Sequence, residues 1–132
     1  MRRLVLVLSI VSTVALAVLA SVVHAHTQKY ATKISAVERT AIEGGYRYSG
    51  SLTSANPHCA KHRGVTVAIP PAASQRTHTD SARHWKVDSP IGGSVDITVS
   101  VRSKLLPRNG ADDKQFCKDA VRYVTFTDQP RP

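Results

Sequence analysis

Alternation of apolar and polar side chains is the strongest signal in this chain. Val95, Ile97, Val99 and Val101 fall on one parity, and Asp96, Thr98, Ser100 and Arg102 on the other. Successive side chains of a strand point to opposite faces, so this run predicts a strand with one packed and one wet face. Tyr46, Tyr48 and Leu52 alternate in the same way with Arg47, Ser49 and Ser51. Gly50 occupies an apolar position of that run, which predicts either a close crossing of the facing sheet or a bulge. Val65, Val67 and Ile69 alternate with Thr66 and Ala68, and Pro70-Pro71 follows. Proline donates no ladder hydrogen bond, so the strand ends there. A short strand is predicted around Trp85 and Val87, flanked by His84, Lys86 and Asp88. Trp85 is the one tryptophan, and its large ring makes it the expected core anchor.

Two segments give mixed signals. In Tyr30 to Ile42, the spacing of Tyr30, Ile34 and Val37 suits a helix, but the threonine, isoleucine and valine content suits a strand. We read it as a first strand that ends before Gly44-Gly45, preceded by a polar lead-in, His26 to Lys29. From Val121 to Phe126 the apolar residues occupy both parities, which predicts a central strand covered on both faces, or a bulged one. Turn chemistry separates these runs at Asn56-Pro57, at Pro90 with Gly92-Gly93, and at Asn109-Gly110. Ala72 to Ser81 is polar, carries no core pattern and reads as a loop, and Asp128 to Pro132 reads as a tail. Short strands at about 8–12-residue intervals, with no helical period, predict an all-β fold: a small antiparallel β-sandwich of about six or seven strands. Aromatic residues are only 5% of the chain, so valine, isoleucine and leucine must fill the core.

The first residues carry a different pattern. Arg2 and Arg3 precede an apolar run, Leu4 to Val23, broken only by Ser9, Ser12, Thr13 and Ser21, and Val23-His24-Ala25 follows. This reads as a secretory signal peptide, residues 1–25, cleaved after Ala25. The alternative is a retained anchor, since about 20 apolar residues span a bilayer. Cleavage leaves residues 26–132, or 132 − 25 = 107, as one sandwich domain with short flexible ends. Such a protein is expected to be secreted or held in the cell envelope. In an oxidising compartment its two cysteines, Cys59 and Cys117, are expected to pair. Closing so long a loop is worth about 4 kcal/mol.

Charge narrows the partners. Without Arg2 and Arg3, 16 of the 18 basic residues remain against 9 acidic ones, a balance of +7. That draws the domain toward anionic cell-surface polymer or lipid, with another exported protein as the other kind of partner. No acidic residue occurs between Glu43 and Asp80, whereas Arg47, Lys61, Arg63 and Arg76 do, so these four form a candidate basic patch. The competing reading is an ordinary solvated face. Nucleic acid is not expected: export removes it, and Tyr46, Tyr48 and Trp85 are needed inside rather than for stacking on bases. A monomer is expected.

The run Tyr48-Ser49-Gly50-Ser51-Leu52, followed by Cys59 to Val67, resembles small secreted bacterial sandwich domains of the immunoglobulin-like and transthyretin-like (carboxypeptidase regulatory-like) kinds. The shared features are Gly50 inside an early strand, then Cys59 and Arg63 ahead of Val65-Thr66-Val67. Thr79 to Trp85 matches their Thr-Asp-x-x-Gly-x-Trp turn loosely, with Ala82 or Arg83 where the glycine belongs. Val95 to Val101 lacks their strand tyrosine, and Cys117 to Ala120 lacks the serine that follows. The resemblance covers most of residues 30–127. It implies a fold and an extracellular setting, and no common catalytic residues.

Candidate chemistry is sparse. His58-Cys59-Ala60-Lys61-His62 resembles half of a metal site, but a zinc site there needs Cys59 unpaired and haem attachment needs a second nearby cysteine, so a disulfide with surface histidines is the favoured reading. Cys59 as a nucleophile beside His58 or His62 lacks an orienting group. Cleavage after Ala25 would expose His26, whose α-amine and ring nitrogen chelate copper. His58, His62, His78 or His84 would then complete a histidine brace. A small copper-binding protein is therefore the alternative function, with copper as its cofactor. No Gly-x-Ser-x-Gly, His-Glu-x-x-His or phosphate loop occurs, and Asp112-Asp113 reads as a solvated turn rather than a calcium loop. The sequence thus predicts an exported, non-enzymatic structural or binding module without catalytic residues or a resident cofactor.

Overall fold

The computed structural model describes residues 27–107 and 114–128. The leader, His26, Asn109-Gly110 and Asp112-Asp113 lie outside the described residues. In chain order the strands are β1 (Thr27–Tyr30), β2 (Lys33–Ile34), β3 (Glu38–Ile42), β4 (Gly45–Thr53), β5 (Gly64–Ala68) and β6 (Gln75–His78). They continue with β7 (His84–Ser89), β8 (Val95–Val101), β9 (Lys104–Leu105), β10 (Lys114–Cys117) and β11 (Ala120–Phe126).

Two antiparallel sheets form the sandwich. In one, β4 is central, with β2 and β3 along one side and β7 along the other. The other has the order β11-β8-β5-β6. The apolar parities predicted above face each other between the sheets. Tyr48, Leu52, Trp85 and Val87 of the first pack with Val65, Val67, Ile97, Val99 and Val101 of the second in one buried cluster. A third, small sheet, β1-β10-β9, lies beside the cysteines and joins β1 to β10 in parallel. The expected β-sandwich is therefore present, with seven strands of four or more residues, β3 to β8 and β11, building its two layers.

Several local expectations change. The single strand read over Tyr30 to Ile42 is broken between β2 and β3. Ile34 pairs with Leu52 and Glu38 with Ser49, so residues 35–37 on one side face only residues 50 and 51 on the other. This is a bulge of one extra residue. Ser35 closes it, donating from its N–H to the Ser51 carbonyl at 2.9 Å and accepting from the Ser51 N–H on Oγ at 2.8 Å. The lead-in before Tyr30 is strand β1, and the polar segment after Ala72 contains β6. β6 lacks an apolar parity because it is an edge strand: its inward Gln75 donates to the Asp88 carbonyl at 3.0 Å. The last strand is neither central nor covered on both sides. β11 pairs only with β8, and its Val121 and Tyr123 stand exposed.

Gly50 lies opposite this bulge, one of the two causes expected, and a second cause adds to it. Its direct partner across the ladder is Trp85, in the same sheet. A Cβ on Gly50 would lie 2.9 Å from Trp85 Cζ2 and 3.0 Å from Cε2, so the missing side chain is the space the indole fills. The buried Trp85 Nε1 has no hydrogen-bond partner among the described residues. Tyr48, fully buried, does find one: its hydroxyl donates to the Ile91 carbonyl at 2.7 Å, and its ring meets Phe126 edge-on at 5.7 Å.

Cys59 and Cys117 form the disulfide, 58 residues apart in sequence. Replacing both by serine should lower the unfolding free energy by about 4 kcal/mol, read from urea denaturation, with a loss under about 1 kcal/mol contradicting the loop-closure argument. Gly50→Ala should cost about 1–3 kcal/mol by the same measurement, because a packed indole must move. A neutral effect would show that Trp85 has room to shift.

Candidate functional site

Chemistry-bearing side chains concentrate where the cysteine loop enters β5. Asn56 starts that loop: its Oδ1 accepts from the His58 N–H at 3.0 Å and caps a short 3₁₀ turn, Pro57–Cys59. His62 then adopts a positive φ of 50°, and the chain turns Arg63 inward. Arg63 is 2% exposed. Its Nη1 donates to the Cys59 carbonyl at 2.7 Å and to Thr32 Oγ1 at 3.2 Å. Its Nη2 donates to the carbonyls of Arg102 and of Lys118, the latter at 3.2 Å. The backbone beside it is held by Thr79, whose Oγ1 accepts from the Arg63 N–H and donates to the Ala60 carbonyl. Burial pushes the Arg63 pKa below its usual value. Arginine keeps its charge regardless, so these oxygens replace the water the cation has lost.

The candidate basic patch is therefore corrected. Arg63 is a buried structural cation and not part of any surface. Arg47 lies on the other sheet, where it forms a salt bridge with Asp88 at 2.8 Å, the one ion pair among the described residues. The Arg47 hydrogen bond holds the Asp88 carboxyl below its ordinary pKa, and both side chains remain solvent-exposed, so the pair contributes little to stability. Of the predicted set, only Lys61 and Arg76 remain as exposed cations without a carboxylate partner among the described residues.

New neighbours join them. Lys61, His58 and His62 line a hollow of about 610 Å³ together with Lys104 and Gln115. Arg76 and His78 line a second, of about 230 Å³, together with Arg102, Gly64 and Thr66. The two hollows share no lining residue but are built on the same two chain segments. Lys61–His62 and Gly64 are successive positions on one segment, Arg102 and Lys104 on another, and the Arg63 side chain fastens the two segments. Neither hollow has a carboxylate among its described lining residues. Arg102 was missed because only the antiparallel pairing of β5 with β8 brings it beside β5, and Lys104 because its β9 pairs with Cys117, which the disulfide holds to the Cys59 turn. The one sequence signal was Arg102, the last polar member of the Val95 alternation.

A third hollow, about 600 Å³, lies over β4 and has mixed charge. Ser49-Gly50-Ser51 line it, with Glu38, Asp80, His84 and Lys86. The His84 N–H donates to Asp80 Oδ1 at 2.9 Å and holds that carboxyl below its ordinary pKa.

The candidate copper ligands are divided by this arrangement. His58 and His62 share the first basic hollow, while His78 and His84 share the mixed one. Among the described residues no three histidine, cysteine, aspartate or glutamate side chains gather as a metal site, and both cysteine sulfurs are consumed by the disulfide. His26, on which the brace depends, lies outside the described residues. Compared with protein-family profiles, curated proteins and solved structures, the chain shows no match.

Arg63→Lys should destabilise the protein by about 3 kcal/mol, because one ammonium cannot replace a planar fork and leaves buried carbonyls unpaired. Chemical denaturation measures this, and a change under about 0.5 kcal/mol would show that the fork is not what fastens the segments.

Proposed function

We propose that this chain is an exported, non-enzymatic binding module whose basic end engages an anionic cell-surface polymer. One observation carries the reading. Lys61, Lys104, Arg76 and Arg102, with three histidines, line two hollows built on the same chain segments, and neither contains a carboxylate among its described residues. Exposed charges farther apart than about 10 Å are largely screened at ordinary salt, so cations act together only when clustered in this way. A polyanion carries condensed counterions, and each cation that replaces them adds affinity that salt then erodes.

Export is supported by the leader pattern of residues 1–25 and by the disulfide, which suits an oxidising compartment. The sandwich, with its cysteine loop ahead of Val65-Thr66-Val67, supports the likeness to immunoglobulin-like or transthyretin-like modules.

Immobilised polyphosphate is a sugar-free probe of this reading. The parent should bind it, with affinity that falls as salt rises. Lys61→Gln/Arg76→Gln/Lys104→Gln should weaken binding by about tenfold or more. The charge-matched Lys33→Gln/Arg83→Gln/Lys86→Gln should change it by no more than about twofold, because those residues lie elsewhere on the surface. Equal losses would reduce the effect to net charge and overturn the site, as would a parent that does not bind.

A further inference from the structure

Among the described residues three large apolar side chains are exposed, and two of them share one strand and one face. Val121 is 52% and Tyr123 is 78% exposed, both on the outer parity of β11. Ladder partners show a side chain's neighbours on that face. Val121 lies opposite Ser100, Ser100 opposite Thr66, and Thr66 opposite Arg76. Tyr123 lies opposite Thr98, in the next row. The outer face of this sheet thus runs from an exposed aromatic edge, across hydroxyl side chains, to the cations of the smaller basic hollow. Three strand spacings of about 4.8 Å make that span about 14 Å.

We infer that the polymer is an anionic polysaccharide, with Tyr123 as the platform on which a sugar ring stacks. This rests on the anionic-polymer reading. A sugar ring has an apolar face of C–H bonds and a rim of hydroxyls. The exposed tyrosine ring suits the first, the row of threonine and serine hydroxyls suits the second, and Arg76 and Arg102 suit a carboxylate or sulfate substituent. Other occupants fit less well. The core of a protein interface is apolar and contiguous, whereas here two apolar side chains stand among hydroxyls. A single-stranded nucleic acid stacks successive bases on several aromatics, whereas among the described residues one exposed aromatic ring stands on this face. Asp96 stands two rows from the Arg76 row, beyond Tyr123, and accepts from Thr125 Oγ1 at 2.7 Å.

The test uses the mature chain with three anionic polysaccharides, alginate, hyaluronan and heparin, and with polyphosphate as the polyanion without sugar. Tyr123→Ala should weaken binding to at least one polysaccharide by about tenfold and leave polyphosphate binding unchanged, while Tyr123→Phe should behave as the parent. Because Tyr123 is exposed, the variants should melt with the parent, and a thermal scan verifies this. The inference is overturned if Tyr123→Ala leaves polysaccharide binding intact or weakens polyphosphate equally. It is also overturned if the parent is a dimer by sedimentation and Tyr123→Ala makes it a monomer, because a second copy then covers the face. A parent that binds polyphosphate but no polysaccharide overturns this inference alone. One that binds neither overturns the anionic-polymer reading as well.

Discussion

The structure depends on how one buried guanidinium is satisfied. Desolvating a cation costs several kcal/mol, and that cost is offset only if fixed dipoles replace the lost water. Around Arg63 they come from four places: Thr32 between β1 and β2, Cys59 in the 3₁₀ turn, Arg102 beyond β8, and Lys118 between β10 and β11. Three of the four acceptors are backbone carbonyls in loops, where no ladder would pair them. The dependence is mutual, since the cation needs the oxygens and the oxygens need a donor. The disulfide joins two of the same segments covalently. Together they turn a set of loops into a defined end of the sandwich, and the basic hollows form over that end.

Much of this fold could be read from the sequence, for a physical reason. β4, β5, β7 and β8 each bury one parity against the facing sheet, so their alternation is written in valine, isoleucine, leucine and aromatic residues. The cysteine pairing followed from there being two cysteines in a chain with an export pattern. The small sheet β1-β10-β9 was not legible because backbone pairing holds it, with few apolar side chains to mark it. β6 was hidden because an edge strand buries little. β11 misled because Val121 and Tyr123 look like core residues by composition and are in fact exposed.

The candidate site was legible only in outline. An excess of cations pointed to an anionic partner, but sequence cannot tell an arginine that binds outward from one that binds inward. Arg63 and Arg76 look alike along the chain. They differ because four acceptors from distant segments surround one of them. The carboxylates are sorted in a similar way. Glu38, Asp80 and Asp88 belong to or adjoin the β4 sheet, whereas Arg76, Arg102, Lys61 and Lys104 gather at one end of the other. Asp96 on the second sheet and Arg47 and Lys86 on the first are exceptions, so strand pairing gathers cations at one end rather than dividing charge between the faces.

The bridge between Cys59 and Cys117 has a mechanical consequence. The 58 residues it spans include β5 to β9 and most of the core-forming strands of one sheet. A module tethered at one terminus and loaded at the other would transmit tension through the sulfur atoms rather than through those strands. At about 3.5 Å per extended residue, about 200 Å of contour length is withheld from stretching. Under load only the segments outside the bridge, β1 to β4 and β11, could add length, so the unfolded domain would stretch to well under its full contour.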